Sequence, residues 1–181
     1  MKTLTLESLA RIRRLLPKIE KAFPIQLSIS DRKLFIRGSE LQEFVVLQVV
    51  KAIDFGFKFD EAVLLRDEDY MFKIIDIKKY TNRKHLKDVR ARVIGREGRA
   101  KKTIQDLGDA IIKVRGNKVG LIAHADNMDE VMQALISLIQ GSKHGNVYSF
   151  LERRRGKQLE DLGLKKDMKR FENEIEEEKA G

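Results

Sequence analysis

The pattern of hydrophobic and polar positions between residues 70 and 140 predicts one complete cycle of strands and helices. The segment Tyr70–Tyr80 (YMFKIIDIKKY) is rich in aromatic and β-branched residues, which favours a strand. A basic helix is expected to follow as far as Ile94, with Asn82 as its N-cap. A second, short helix is expected over Arg99–Leu107, and Gly108 is expected to end it in the left-handed conformation.

Two apolar runs then predict a β-hairpin. The runs Ala110–Val114 and Lys118–His124 are separated by Gly116-Asn117, a dipeptide that suits a two-residue turn. The last helix of the cycle is expected to begin at Asn127, which forms a capping-box spacing with Glu130. Its predicted apolar face consists of Met128, Val131, Met132, Leu135, Leu138 and Ile139. The predicted order is strand, helix, loop, helix, strand, strand, helix.

The first 69 residues carry a shorter version of this pattern. Leu4–Phe23 is predicted to be mostly helical, with Pro17 starting a second helix. Short strands are expected over Ile25–Ser30 and Lys33–Arg37, followed by a helix over Glu40–Phe55. The apolar positions of that helix are Leu41, Phe44, Val45, Leu47, Val49 and Val50. Helix, strand, strand, helix is the back half of the cycle predicted for residues 70 to 140.

Glycine spacing distinguishes the two halves of the chain. The segment Val93–Gln105 (VIGREGRAKKTIQ) contains a G-x-x-G loop, Gly95–Gly98, directly before a helix. Glycines let the backbone approach a phosphate closely, and the first N–H groups of a helix have no partner inside the helix. In the first half, Gly38 and Gly56 stand alone at element ends. The loop by itself fits a plain turn equally well.

Positive charge is concentrated around this loop. The chain has a net charge of +9, and residues 82–102 contain nine basic and two acidic side chains, a net +7. Such a cluster beside a phosphate-ready helix start indicates nucleic-acid binding, and it suits the backbone of a single strand. The candidate RNA-contacting residues are Lys84, Lys87, Arg92, Ile94, Gly95, Arg96, Gly98, Arg99, Lys101 and Lys102. Glu97 is expected to point away, because a carboxylate cannot hold a phosphate.

Composition argues against several other classes of protein. The chain has no cysteine, which excludes disulfides and thiolate metal sites. The three histidines lie far apart in sequence and no nucleophile or metalloprotease motif occurs, so neither an enzyme, a cofactor nor a metal site is expected. The apolar runs are too short to span a bilayer, and the first 15 residues lack the core of a signal peptide. These features predict a cytoplasmic protein with no membrane partner.

The sequence changes character after Gly141. A turn is expected over Ser142–Asn146 and a helix over Val147–Leu159, while Asp167–Gly181 is an acidic run expected to be frayed or disordered. The predicted domain boundaries are therefore residues 1–69, 70–143 and 144–181.

The order of elements in residues 70–143, with G-x-x-G between two helices, resembles the eukaryotic-type KH domain, β-α-α-β-β-α. The first half resembles a degenerate KH domain that lacks the loop, although an unrelated α+β domain also fits its pattern. The resemblance implies an α+β protein with two tandem KH-like domains and a C-terminal helical tail. Two other functions stay open. Residues 82–94 and 99–107 fit a helix-turn-helix that reads duplex DNA, and the basic face fits a protein-only adaptor.

Four segments carry a closer resemblance. GFKFDEAVLLRDED (residues 56–69), KIIDIKKY (73–80), VIGREGRAKKTIQ (93–105) and HGNVYSFLERRR (144–155) resemble the archaeal form of the KH-domain ribosome-biogenesis factors known in eukaryotes as partner-of-Nob proteins. The resemblance implies binding to the 3′ region of small-subunit ribosomal RNA, alongside a Nob-type endonuclease. It also implies phosphate-clamp roles for Gly95, Arg96, Gly98, Arg99, Lys101 and Lys102.

Overall fold

The structure, a computed structural model, describes residues 1–161, with side chains described as far as residue 156. It contains two three-stranded antiparallel sheets with helices packed against them. The acidic run predicted over Asp167–Gly181 lies outside the described residues.

The first half of the chain forms a strand, a helix, a hairpin and a long helix. These elements are β1 (Lys2–Thr5), α1 (Leu9–Ala22), β2 (Gln26–Ser30), β3 (Lys33–Arg37) and α2 (Glu40–Phe55). Asp31 and Arg32 both take positive φ, 47° and 62°, as a two-residue hairpin turn between β2 and β3 requires. A one-turn helix, α3 (Phe59–Ala62), and a 3₁₀ turn (Val63–Arg66) then lead to the second half.

The second half contains the complete cycle predicted from the sequence. Its elements are β4 (Tyr70–Asp76), α4 (Leu86–Ile94), α5 (Arg99–Gly108), β5 (Ala110–Arg115), β6 (Lys118–His124), α6 (Ala125–Gln140) and α7 (His144–Asp161). Two 3₁₀ turns, Ile77–Lys79 and Arg96–Gly98, precede α4 and α5. Gly116 has a φ of 55° in the predicted hairpin turn between β5 and β6.

The two sheets share one topology. Their strand orders are β1-β3-β2 and β4-β6-β5, so in each sheet the N-terminal strand pairs with the last strand. Leu4 lies opposite Leu34 in the first sheet, and Ile75 lies opposite Val119 in the second. The single helix α1 occupies the chain position that α4, the G-x-x-G loop and α5 occupy in the second half. The first half is therefore a reduced version of the second, and the predicted α+β fold with two related units is confirmed.

The central strand of the second sheet, β6, is buried on both faces. Successive residues of a strand point to opposite faces, and Leu121 belongs to the core formed with α4, α5 and α6, whereas Ile122 belongs to the core of the first half. Phe57 of the first half packs edge-on against Phe72 of β4, with ring centroids 5.6 Å apart. A Cβ atom on Gly120 would lie 2.5 Å from the Phe55 ring, so this approach requires glycine. The first half thus packs directly against the outer face of the second sheet.

The start of the chain differs from the prediction. Leu4 belongs to strand β1, not to a helix, and α1 continues through Pro17 instead of restarting there. The β1 strand has Thr3 and Thr5 on one face, and its pairing with β3 supplies the hydrogen bonds of its backbone. Such a short strand depends on a partner distant in sequence, which explains why the local pattern did not predict it.

Helix α2 spans the predicted residues, but two of its predicted apolar positions are on the surface. Leu41 is 62% exposed and Phe44 is 51% exposed. The buried face of the helix contains Val46, Val49 and Ile53 at helical spacing. The residue of this face one turn before Val46 is Glu43, so the neighbouring Phe44 lies on the surface. The buried Glu43 carboxylate has partners for both oxygens: Oε1 accepts a hydrogen bond of 3.2 Å from the Gly38 N–H, and Oε2 lies 3.0 Å from the N-terminal ammonium of Met1.

The strand before the loop ends earlier than predicted, and the helix that follows it begins later. The strand predicted to reach Tyr80 ends at Asp76, whose side chain accepts a hydrogen bond from the Lys78 N–H and starts a 3₁₀ turn. Helix α4 consequently begins at Leu86, with His85 rather than Asn82 at its N-cap position. The strand-like composition of the sequence continues to Tyr80, but the hydrogen bond of the Asp76 side chain ends the strand at Asp76.

Three helix ends further along the chain were also predicted wrongly. Gly108 is the last residue of α5, and the left-handed residue after it is Asp109, with a φ of 45°. A Cβ atom on Gly108 would lie 2.3 Å from a methyl group of Val131, so packing accounts for this glycine. Helix α6 is capped by the His124 side chain rather than by Asn127. Helix α7 begins at His144, inside the predicted turn.

Candidate nucleic-acid interface

The G-x-x-G loop brings the end of α4 very close to the start of α5. Gly95 has a φ of 75°, and a Cβ atom there would lie 2.5 Å from the Ala100 Cβ and 2.7 Å from the Ala100 backbone nitrogen. No real Cβ atom tolerates these distances. Gly95 is therefore required by both its backbone conformation and its packing.

Gly98 has a different role in the loop. Its φ is 77°, and no atom lies within 4 Å of the position that a Cβ atom would take. It is the N-cap residue of α5, and no side chain caps this helix start. The start of α5 is therefore open in the sense that no side chain caps it. The Arg99 N–H donates to the Arg96 carbonyl within the 3₁₀ turn, and no side chain competes with an anion for the N–H groups that follow.

The loop forms one side of a groove with a volume of about 810 Å³. Ile94, Gly98 and Lys101 line the groove on the loop side, and Lys113, Val114 and Arg115 of β5 line it on the opposite side. Ile94 is 36% exposed and offers an apolar surface, while Lys101 and Arg115 offer positive charge. The Glu7 carboxylate, which also lines the groove, lies 3.4 Å from the Arg115 guanidinium. A groove lined by an apolar side chain and by cations suits both the bases and the phosphates of a single strand.

The first half of the chain completes the groove. The residues Glu7–Arg11, together with Phe55 and Gly56, line it beside the loop and β5. Arg11 is the cation that this half contributes, and its guanidinium donates a hydrogen bond of 3.3 Å to the Ile53 carbonyl. This contribution was not predicted from the sequence, because it depends on how the two halves pack together.

Asp54 explains why the start of α1 does not offer a second phosphate site. Its carboxylate accepts hydrogen bonds from the backbone N–H groups of Glu7, at 2.9 Å, and Ser8, at 2.6 Å. These are the N–H groups at the entrance to α1, where an external anion would otherwise bind. The protein's own carboxylate thus binds the N–H groups just before α1 and disfavours an external anion there, although neither α1 nor α5 has a side-chain cap of its own.

Two cations of β5 connect the groove to the first half. The Arg115 guanidinium donates hydrogen bonds to the carbonyl oxygens of Asp54 and Phe55. The Lys113 ammonium lies 2.9 Å from a carboxylate oxygen of Glu61. Partial burial raises the pKa of Glu61, but the Lys58 N–H and Lys113 together outweigh this effect, so the pKa lies below its usual value. Both β5 cations are therefore held in place at the groove wall.

The predicted cations of the loop are on the surface, and one of them is already paired. Arg96, Arg99 and Lys102 are exposed, and Lys101 is half-buried in the groove. The Glu97 carboxylate lies 2.7 Å from the Arg99 guanidinium. Glu97 therefore does not point away from the cations of the loop, as the sequence had suggested, but neutralises one of them.

Lys101 lines the groove, whereas the other predicted cations do not. Lys84 and Lys87 are exposed before and within the first turn of α4. Arg92 is directed to the turn between α6 and α7, where its guanidinium donates hydrogen bonds to the carbonyl oxygens of Gly141 and Ser142. The structure thus brings Ile94, Gly98 and Lys101 together with β5, and places Arg92 in a structural contact.

The C-terminal segment HGNVYSFLERRR packs behind the loop. Val147 and Leu151 are buried in the core of the second half. At the start of α7, the His144 ring nitrogen Nε2 lies 3.0 Å from the Arg92 carbonyl oxygen. At the last residue of the segment, Arg155 donates a hydrogen bond to the Asp106 carbonyl of α5. This segment therefore contacts both helices that flank the loop.

Within residues 1–161, no helix is both long enough and apolar enough to cross a membrane. In the same part of the chain, no group of three or more His, Asp or Glu side chains is arranged to hold a metal ion.

Comparison with known proteins places the chain in a family. Residues 71–156 match the eukaryotic-type KH domain (KH-domain type I) in the form of the second KH domain of Pno1 proteins. A KH domain-containing protein of Methanocaldococcus jannaschii is 31% identical over 146 residues, which cover 77% of this chain and 64% of the relative. The pre-rRNA-processing protein pno1 of Aspergillus fumigatus is 30% identical over 138 residues, covering 71% of this chain and 55% of the relative. The chain thus spans less than two thirds of the length of these curated relatives.

A solved structure shows the same architecture. In the crystal structure of the a/eIF2alpha-aDim2p-rRNA complex from Pyrococcus horikoshii OT3, the matching chain is 27% identical and superimposes with a TM-score of 0.77. The match covers 86% of this chain and 94% of that chain. The resemblance seen in the sequence is confirmed: the chain belongs to the Pno1, or partner-of-Nob, family of KH-domain proteins.

Proposed function

We propose that this protein binds single-stranded RNA in the groove between the G-x-x-G loop and β5, and that it acts in small-subunit ribosome biogenesis. The observation that carries the proposal is the start of α5 at this groove, which no side chain caps, with Lys101 and the exposed Ile94 among the residues that line the groove. Phosphates can bind at the helix start and bases can contact Ile94. A G-x-x-G loop of this kind clamps about four backbone nucleotides.

The proposed RNA is the 3′ region of small-subunit ribosomal RNA. Relatives of this chain are pre-rRNA-processing proteins, and the Pyrococcus horikoshii relative was crystallised in a complex with rRNA. We further propose a Nob-type endonuclease as the protein partner, which the family resemblance implies. In this division of labour the present chain has no catalytic activity and positions the RNA, and both proteins work in the cytoplasm.

The packing of α5 weighs against a helix-turn-helix that reads duplex DNA. A recognition helix must present a free face to the major groove. Helix α5 packs against α4, α6, α7 and β5. Only its N-terminal end lies at the groove, through Gly98 and Lys101. This arrangement favours contact with one strand at the helix start over insertion of the whole helix into a duplex.

Titration of the full chain with three ligands tests the proposal. The ligands are a single-stranded RNA with the 3′-terminal sequence of small-subunit rRNA, a scrambled RNA of the same length and a blunt DNA duplex. The proposal predicts tightest binding to the first RNA, with a log-log salt slope of about −0.7 for each phosphate contacted. Preference for the duplex would support the DNA-binding alternative, and absence of binding to all three would support a protein-only adaptor.

A further inference from the structure

We propose that Glu97 is a built-in competitor of the RNA phosphate for Arg99, and that it weakens the grip of the G-x-x-G loop on RNA. The inference rests on the proposed RNA-binding function and adds a tuning residue within that site. Its basis is the contact between Glu97 Oε2 and Arg99 Nη2, at 2.7 Å. Arg99 is the first residue of α5, directly beside the open helix start.

The Glu97–Arg99 pair is placed where a ligand can exchange with it. The two side chains are 68% and 76% exposed, so no surrounding structure holds the pair closed. Exposed ion pairs are weak, because water and salt screen them. A phosphate offers the same charge and the same bidentate geometry to a guanidinium as a carboxylate does. RNA can therefore displace Glu97 from Arg99, but part of its binding free energy is lost in doing so.

The backbone of Glu97 supports a functional reason for this residue. Its φ is 54° and its ψ is 24°, in the left-handed region where residues other than glycine are uncommon. Glutamate has no short polar side chain of the kind that helps asparagine and aspartate adopt this conformation. Glycine would fit the position with less strain. The loop thus keeps an acid in an unfavourable conformation beside a cation of the proposed phosphate site.

A distinct salt dependence follows from this competition. When RNA binds the wild-type chain, Arg99 exchanges one anionic partner for another instead of forming a new contact. In the wild type, added salt weakens the competing Glu97–Arg99 pair as well as the RNA contact, and this reduces the net loss of affinity. Without the Glu97 carboxylate, salt acts on the RNA contact alone. Removal of the carboxylate should therefore tighten RNA binding and also steepen its salt dependence.

The test measures RNA affinity and salt slope for Glu97→Gln in the full chain, with the rRNA 3′-terminal RNA as the probe. We expect affinity to rise about two- to fivefold, the range of a weak exposed ion pair, and the slope to steepen by up to about 0.7. Glu68→Gln is the matched control, because it makes the same change of net charge at an exposed residue in the segment before β4 instead of in the loop. Glu97→Gly removes the carboxylate without backbone strain, and it is the second test variant if Glu97→Gln folds poorly.

A double-mutant cycle with Arg99→Gln identifies the route of the effect. The gain from Glu97→Gln should disappear when Arg99 is also replaced, because the competition acts through Arg99. The inference is overturned if the gain survives in the Arg99→Gln background, or if Glu68→Gln gives the same gain. A wild-type chain that binds no RNA would overturn the proposed function itself, which separates that failure from this one.

Discussion

His144 donates a hydrogen bond from its ring nitrogen Nε2 to the carbonyl oxygen of Arg92, 3.0 Å away. The Arg92 guanidinium in turn donates to the carbonyl oxygens of Gly141 and Ser142, just before His144. These reciprocal contacts join the last turn of α4 to the start of α7. Arg92 lies only three residues before Gly95, so the C-terminal segment braces the helix that carries the G-x-x-G loop.

Replacement of His144 should therefore affect stability rather than phosphate contact. We expect His144→Ala to lower the free energy of unfolding by about 1 kcal/mol, the usual contribution of one hydrogen bond, with the salt slope of RNA binding unchanged. Urea denaturation and RNA titration provide the two measurements. His85→Ala is the control, since His85 is exposed and its side chain makes no capping hydrogen bond. Equal stability of the two variants would show that the brace contributes nothing.

The two glycines of the loop should respond differently to alanine. Gly95→Ala forces a Cβ atom to within 2.7 Å of the Ala100 backbone nitrogen, so we expect a loss of about 1–3 kcal/mol from overpacking, with strain at positive φ in addition. Gly98→Ala meets no atom and should cost only about 1–2 kcal/mol of left-handed strain. Its methyl group would nevertheless stand at the open helix start and reduce RNA affinity. Thermal denaturation with RNA titration distinguishes the two, and a Gly98→Ala chain that is as unstable as Gly95→Ala would contradict the geometry.

The contacts of the Glu61 carboxylate with the Lys58 N–H and with the Lys113 ammonium predict a pH dependence of stability. The pKa of Glu61 in the folded chain lies below its ordinary value of 4.5, so its stabilising contribution is present above that pH and is lost as the pH falls through the lower, folded-state value. Glu61→Gln should therefore be less stable than wild type at pH 7, and the difference should vanish in acid. Chemical denaturation across this range, with Asp60→Asn as the neighbouring control, measures it. A difference that persists in acid would mean that Glu61 acts by packing instead of by charge.

Arg11 should matter for RNA binding although the first half lacks a G-x-x-G loop. Arg11 lines the groove, whereas Arg14 is exposed on the same helix outside it. We expect Arg11→Ala to weaken RNA binding and to reduce the salt slope by about 0.7, one phosphate contact, while Arg14→Ala changes neither. The double change Arg32→Ala and Lys33→Ala, at the β2–β3 turn and the first residue of β3, should also have little effect. Equal effects of Arg11→Ala and Arg14→Ala would mean that the first half contributes only diffuse charge.

Local sequence patterns predicted the elements that depend on near neighbours. The hairpin around Gly116, the span of α2 and the buried face of α6 follow from turn chemistry and helical periodicity, and the structure confirms them. Strand β1 was missed because its stability comes from pairing with β3, about 30 residues away in sequence. Gly108 was wrongly predicted to end its helix in the left-handed conformation. A glycine is needed there because of the close contact with Val131, which no local pattern reveals.

The candidate site was predictable in its chemistry but not in its full extent. The loop glycines, Ile94 and Lys101 follow from the G-x-x-G motif and its basic surroundings, and they do lie at or beside the groove. Charge alone does not indicate where a side chain points, so Arg92 was grouped with the loop cations although its guanidinium binds backbone carbonyls elsewhere. The contributions of Arg11 and Arg115 arise from packing between the two halves.

Mapping of the RNA-binding surface by nuclear magnetic resonance tests the central claim most directly. Backbone amide signals of the full chain are recorded during titration with the rRNA 3′-terminal RNA. The account predicts that the largest shifts occur in residues 94–102, in residues 113–115 of β5 and in residues 9–11 of α1, which together surround the groove. Shifts concentrated elsewhere, such as on the exposed face of α2 around Leu41 and Phe44, with the loop amides unchanged, would contradict it.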